Sequence, residues 1–328
     1  MTRLRATRGT VAVVLCLGLT GCGGSDRSSP QSPTRAATPA PQAVTAGTTL
    51  SVVSGEDYGP VDGATVILHG REYTTDGAGH VVLAEDVPYG GFVGIVATGF
   101  LDRQTVVSPD GNTRFVLWPR ETANGMSEEF TAQLVYTFGW SEEPEHGTSS
   151  LERIPEGMTQ VFVWISEEIL QDDRAARVHE SAIDEMNAAL EGRAIYILTA
   201  TQPTGGVTFE VGLDPGGSCA PNVLGYFSAN GNARGEITGG EIGYCGLDAA
   251  RLSIVVTHEL GHSIGLQHTY AWEELMSRYF SRYSINGFSE REALAMRLLF
   301  ERPAGNRFPD TDREVSAASA GVHTTVCY

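Results

Sequence analysis

The feature that most constrains this chain is the run H-E-L-G-H-S-I-G-L-Q-H from His258 to His268. His258 and His262 stand four residues apart, so on a helix they lie one turn plus about 40° from each other and point to the same side. Two imidazoles on one side can reach one metal ion. Glu259 follows the first histidine and precedes the second by three residues, which puts its carboxylate at the edge of that metal, against a bound water rather than the ion. Gly265, lacking a Cβ, can take a left-handed turn, end the helix and let the chain double back to present His268 as a third ligand. Three histidines with one open position describe a catalytic zinc site, because structural zinc sites fill all four positions with protein. Ile254, Val255, Val256 and Leu260 supply the apolar face that such a helix must bury. With ordinary residue frequencies this five-position pattern arises by chance in about a few chains in 10^5. His69, His80, His146, His179 and His323 have no comparable spacing and read as ordinary histidines.

Through H-E-x-x-H-x-x-G-x-x-H the chain resembles the metzincin metallopeptidases, and the wording of the motif looks most like their matrixin branch. Leu275-Met276-Ser277 lies where that branch has a methionine turn beneath the zinc, and F-S-E-R-E-A-L-A-M-R-L-L-F from Phe288 is similar to its closing helix. The resemblance runs over roughly residues 158 to 302. It implies a twisted mixed sheet with an active-site helix and a C-terminal helix, one catalytic Zn2+ on His258, His262 and His268, Glu259 as general base, Met276 supporting the site, and a protein or peptide substrate. Two departures limit it. Arg278 stands where astacin-like and serralysin-like members place a tyrosine, with Tyr279 one residue too late, and no cysteine lies between Cys22 and Cys219 to supply an upstream thiol latch.

The N-terminal residues are not part of that fold. Arg3, Arg5 and Arg8 precede a short apolar run, Val11 to Leu19, which reads as a secretory signal over residues 1–22. The run is about ten residues, where a membrane-spanning helix needs roughly 20. Leu19-Thr20-Gly21-Cys22 resembles a bacterial lipobox, which implies lipidation at Cys22, a stable anchor of several acyl chains, and a place in the bacterial cell envelope outside the cytoplasm. Residues 23–47, rich in Ser, Pro, Thr, Ala and Gln, have too few large apolar side chains to order themselves and read as a tether. The chain carries 22 Lys+Arg against 40 Asp+Glu, a formal charge of -18, which speaks against a nucleic-acid partner. It contains no lysine, so Walker phosphate loops, kinase lysines and Schiff-base cofactor sites are excluded.

From about 48 to 119 the pattern is short β: Ala64–Leu68, His80–Leu83, Gly91–Ala97 and Thr113–Trp118, separated by Gly and Asp turns. This spacing predicts a small β-sandwich. P-V-D-G-A-T-V-I-L from Pro60 and T-D-G-A-G from Thr75 resemble the carboxypeptidase regulatory-like (transthyretin-like) domain, which implies a module without catalysis of its own. Residues 120–315 read as the mixed α and β zinc domain, and 316–328 as a C-terminal tail, so the fold class expected is α+β. Within the zinc domain Gln160–Ile165, Ile195–Leu198 and Val207–Val211 predict strands, and Glu236–Cys245 half of a hairpin. Val178, Ala182, Met186 and Ala189 or Leu190 recur at helical spacing up to Gly192, a helix begins near Leu252, and Ser289 with Glu292 forms a capping box for another. With Cys16 lost with the signal and Cys22 lipidated, Cys219, Cys245 and Cys327 remain; Cys219 with Cys245 is the expected disulfide, with the alternative partners of Cys327 left open. No calcium loop of the D-x-[DN]-x-[DN]-G type is present, and structural calcium stays open. Two other readings survive the sequence: a non-enzymatic surface binding protein, and a zinc hydrolase of cell-wall peptide amides. Neither is decided by fold or motif.

Overall fold

The computed structural model describes residues 43–109, 112–137, 150–214, 219, 222–278, 285, 287–312 and the backbone of 322–327. The expected signal, the lipidation site Cys22 and most of the expected tether lie outside these residues, as do Tyr279 and His146. Among the described residues no helix is long and apolar enough to cross a membrane.

Some of the N-terminal strands alternate in burial, as in Thr65–Leu68, where Val66 and Leu68 are buried and Thr65 and Ile67 half-buried, because one face of the strand turns toward a core. The strands are β1 (Thr49–Ser54), β2 (Thr65–Leu68), β3 (Arg71–Thr74), β4 (His80–Val82), β5 (Phe92–Val96), β6 (Arg103–Val106) and β7 (Arg114–Leu117). One sheet has the order β4-β1-β7, with β1 parallel to β7, and the other the order β3-β2-β5-β6, antiparallel throughout. Their inner faces share one apolar cluster that includes Val52, Val66, Leu68, Val93, Ile95 and Leu117. Ala43–Val44, in the stretch whose composition reads as a tether, pairs with Val87–Pro88.

The larger sheet is built from β8 (Gln160–Ile165), β9 (Ile195–Thr199), β10 (Val207–Leu213), β11 (Gly225–Gly231), β12 (Ile237–Tyr244) and β13 (Val322–Cys327), in the order β9-β8-β10-β12-β11-β13. The first four neighbours are parallel; β11 runs antiparallel to β12, and β13 antiparallel to β11. Beside this sheet are four longer helices, α1 (Glu128–Val135), α2 (Asp173–Leu190), α3 (Ser253–His262) and α4 (Glu290–Leu299); α2 and α3 pack against its strands, and α4 packs against α2 and α1. The Asp172 side chain caps α2 by accepting from the Ala175 amide, and the helix ends where Glu191 and Gly192 turn left-handed. Ser289 and Glu292 form both bonds of the capping box at the start of α4. The disulfide Cys219–Cys245 closes the segment that contains the β11-β12 hairpin.

A second apolar cluster fills the space between the larger sheet and the helices, and Trp118 and Val116 of the β-rich part belong to it. Polar bonds cross the same boundary. Arg302 donates to the Val116 carbonyl at 2.8 Å and forks onto Asp310, which also accepts from Arg103 and Asn306. Arg103 further pairs with Asp312, and Tyr58 donates to Glu301 at 2.8 Å. Arg103, Arg302 and Asp310 are all buried, where charges persist only when paired and hydrogen-bonded.

Candidate metal centre

Helix α3 carries His258, Glu259 and His262, all buried, and its end is set by Gly265 at φ +111°. A Cβ there would fall 1.9 Å from the Glu152 carbonyl oxygen, so only glycine fits both the dihedral and the space. The chain then reverses, and Gln267 donates its amide to the Leu134 carbonyl at the end of α1. Gln133 of the same helix accepts from Thr269 Oγ1 and from the Tyr270 amide, each at 3.1 Å. Helix α1 therefore holds the segment that carries His268.

One candidate ligand atom from each of His258, His262 and His268 lies within 4.8 Å of the others. His258 Nε2 is 3.2 Å from both His262 Nε2 and His268 Nε2. The second ring nitrogens of the first two are held by main-chain carbonyls: His258 Nδ1 donates to Leu275 O at 2.6 Å and His262 Nδ1 to Leu266 O at 2.7 Å. That bond fixes the tautomer and leaves Nε2 with a lone pair, so the facing His258 and His262 nitrogens cannot bond to each other. Facing lone pairs at this distance call for a cation. Nitrogens 3.2 Å apart at tetrahedral angles correspond to metal–nitrogen bonds of about 2.0 Å, the length of a zinc–imidazole bond. The residues present thus fit zinc, on the chemistry of the donor set and on its spacing.

Burial also keeps the rings neutral. It pushes His258 down to about 4, and burial with the neighbouring His258 pushes His262 to about 3. His268 is driven well below its ordinary value by burial, then by His262, His258 and Arg278. Neutral imidazole is the form that ligates.

Two elements under the helix complete the frame. Met276 is buried against α3, where a Cβ on Gly261 would meet its Sδ at 2.5 Å. The Met276 amide donates to Glu292 Oε1 at 2.7 Å, while Glu292 Oε2 accepts from the Ser289 amide at 2.8 Å. One carboxylate therefore joins the cap of α4 to the turn whose Leu275 carbonyl orients His258. Burial, then the charge of Glu274, raises the Glu292 carboxyl above the usual carboxylate range. On the other side β11 passes close to Glu259: a Cβ on Gly225 would lie 2.7 Å from Glu259 Oε1, and the Phe227 ring stacks on His262 at 5.9 Å. Tyr244 is buried near enough to Glu259 that, after burial itself, the carboxylate's charge raises the phenol well above its ordinary value.

The sequence motif thus comes together in space, with Met276 beneath it and the Cys219–Cys245 bridge formed. Sequence reasoning did not find the Leu275 and Leu266 carbonyls, Glu292 as a brace, or α1. Main-chain acceptors have no signature in residue identity, but S-E-E from Ser127 is a helix-start signal that marks α1, and the Ser127 side chain does cap it. Among the described residues, those that would shape a substrate side-chain pocket after Met276 are few, since 279–284 and 286 lie outside them.

Residues 167–293 match the family model described as Matrixin, a stretch that contains all three histidines, Glu259 and Met276. The match supports a metzincin-like metallopeptidase domain over these residues, and the family implies zinc. No curated protein matches the chain.

Proposed function

We propose that this protein is a zinc-dependent endopeptidase held outside the cytoplasm. The observation that carries the reading is the convergence of His258, His262 and His268, with His258 Nε2 3.2 Å from Nε2 of each of the other two and Glu259 next to His258 in the buried wall of the site. His258, His262 and His268 would hold the ion as neutral ligands, two of them oriented by the Leu275 and Leu266 carbonyls. Zinc held there would lower the pKa of a water to near 7 and polarise the substrate carbonyl oxygen. Glu259 takes the proton of the attacking water and returns it to the departing amine, a shuttle of about 10²–10⁴-fold. Met276 supports the ligands by packing, and Glu292 fixes the turn that carries it.

Cys22 is read as the lipid anchor, residues 23–47 as a spacer, and the envelope as the compartment. The two N-terminal sheets are read as a carboxypeptidase regulatory-like sandwich that stabilises or spaces the zinc domain.

The test is a substrate panel. The full chain loaded with zinc is offered quenched peptides and cell-wall peptide amides, with metal content assayed in parallel. Cleavage of internal peptide bonds by a protein holding one zinc is the expected result. Zinc binding with hydrolysis of the amides alone identifies an amide hydrolase, and zinc binding without turnover of either class identifies a tethered binding protein.

A further inference from the structure

The edge of the larger sheet beside the metal centre is not open. β11 has β12 on one side; its other side is the edge nearest the site, since Gly225 backs onto Glu259 and Phe227 onto His262. An extended peptide laid along that edge would bond main chain to main chain and bring its backbone past the carboxylate and the histidines, as in recognition by strand addition. The chain itself supplies such a strand. β13 pairs antiparallel with β11 over six positions, from Asn230↔Val322 to Gly225↔Cys327. Its last paired residue is therefore opposite the glycine that touches Glu259.

We propose that the C-terminal segment Val322–Cys327 is the resident occupant of the substrate edge, so that a substrate peptide and the chain's own C-terminus compete for β11. The inference rests on the peptidase reading for its consequence, but the strand contact itself does not. An intramolecular strand on a short connection acts at an effective concentration on the order of 1 mM. If the free segment binds with a Kd of about 0.1 mM, occupancy raises the apparent KM roughly tenfold and leaves kcat unchanged. The device is a brake released by whatever removes or pulls away the C-terminus.

The experiment compares the full chain with a chain ending at Arg313 and with the full-length double variant Thr324→Pro/Thr325→Pro. Adjacent prolines remove an amide donor from whichever of the two residues faces β11. The probe is a synthetic peptide of residues 322–328 with Cys327→Ser, so that no thiol can bind zinc, titrated by calorimetry. Expected is binding to the truncated chain and to the proline variant, about tenfold weaker binding to the full chain, and a KM for quenched peptides about tenfold lower in the two altered chains at equal kcat. Equal binding to all three chains, or to none, overturns the proposal, as does a peptide that binds only when Cys327 is restored. If no chain cleaves any peptide, the peptidase reading fails while calorimetry still decides the strand contact. Should the truncated chain not fold, the proline variant carries the same comparison.

Discussion

Replacing Gly265 with alanine tests whether the turn after α3, rather than the histidines alone, builds the site. Gly265 sits at φ +111°, and a Cβ would come 1.9 Å from the Glu152 carbonyl oxygen and 2.8 Å from its carbon. The left-handed backbone costs an L-residue about 1–2 kcal/mol. The overlap forces a movement of about 1.5 Å to reach ordinary contact, and overpacking of this kind costs about 1–3 kcal/mol. Together the zinc-free protein should lose about 2–5 kcal/mol, read as a lower urea midpoint with an unchanged slope. Because His268 follows three residues on, zinc affinity should fall as well, read by competition with a chelating dye. A loss under about 1 kcal/mol with zinc affinity intact would refute the reasoning, since it would mean that the turn accommodates a side chain.

His179 is buried with its Nδ1 donating to Ala175 O, and burial depresses it to about 4, so folded protein resists a proton that the unfolded chain takes up near 6.5. Its contribution is complete above pH 6.5 and is lost as pH falls through about 4. Zinc-free His179→Leu should therefore lose about 2 kcal/mol less than wild type between pH 7 and pH 5, measured by urea denaturation at both. Asp310→Asn leaves buried Arg103 and Arg302 under-compensated and should cost about 3–5 kcal/mol, seen as a lower midpoint at pH 7. Removing the Cys219–Cys245 bridge, which spans a sequence separation of 26, should cost about 3.5 kcal/mol in the chain-entropy account; a double serine variant of unchanged midpoint would contradict it.

What was legible in the sequence is what depends on local spacing. The helix from Ser253, the cap at Ser289 and Glu292, and the end of α2 at Gly192 are set by residues within a few positions of one another, and each forms as that spacing predicts. Gly265 is legible for the same reason. The missing parts depend on distant partners. Strands β3 and β6 are too short and too polar to stand out, as Arg71–Thr74 shows with mostly exposed side chains, and they exist because neighbours pair with them. Thr-Thr-rich Val322–Cys327 reads as a tail, yet its backbone pairs with β11, far away in the chain. The brace through Glu292 was half visible: its capping role follows from Ser289, but its second oxygen reaches Met276, sixteen residues upstream.

The most direct measurement compares the zinc-loaded wild type with Glu259→Gln, a variant of nearly the same shape that cannot accept a proton. Metal content and cleavage of a single defined peptide are read on the same samples. One zinc per chain in both, with cleavage lower by about 10²–10⁴-fold in the variant, is the result the account expects. A variant that holds zinc and cleaves at the wild-type rate, or a wild type that binds no zinc, would contradict it.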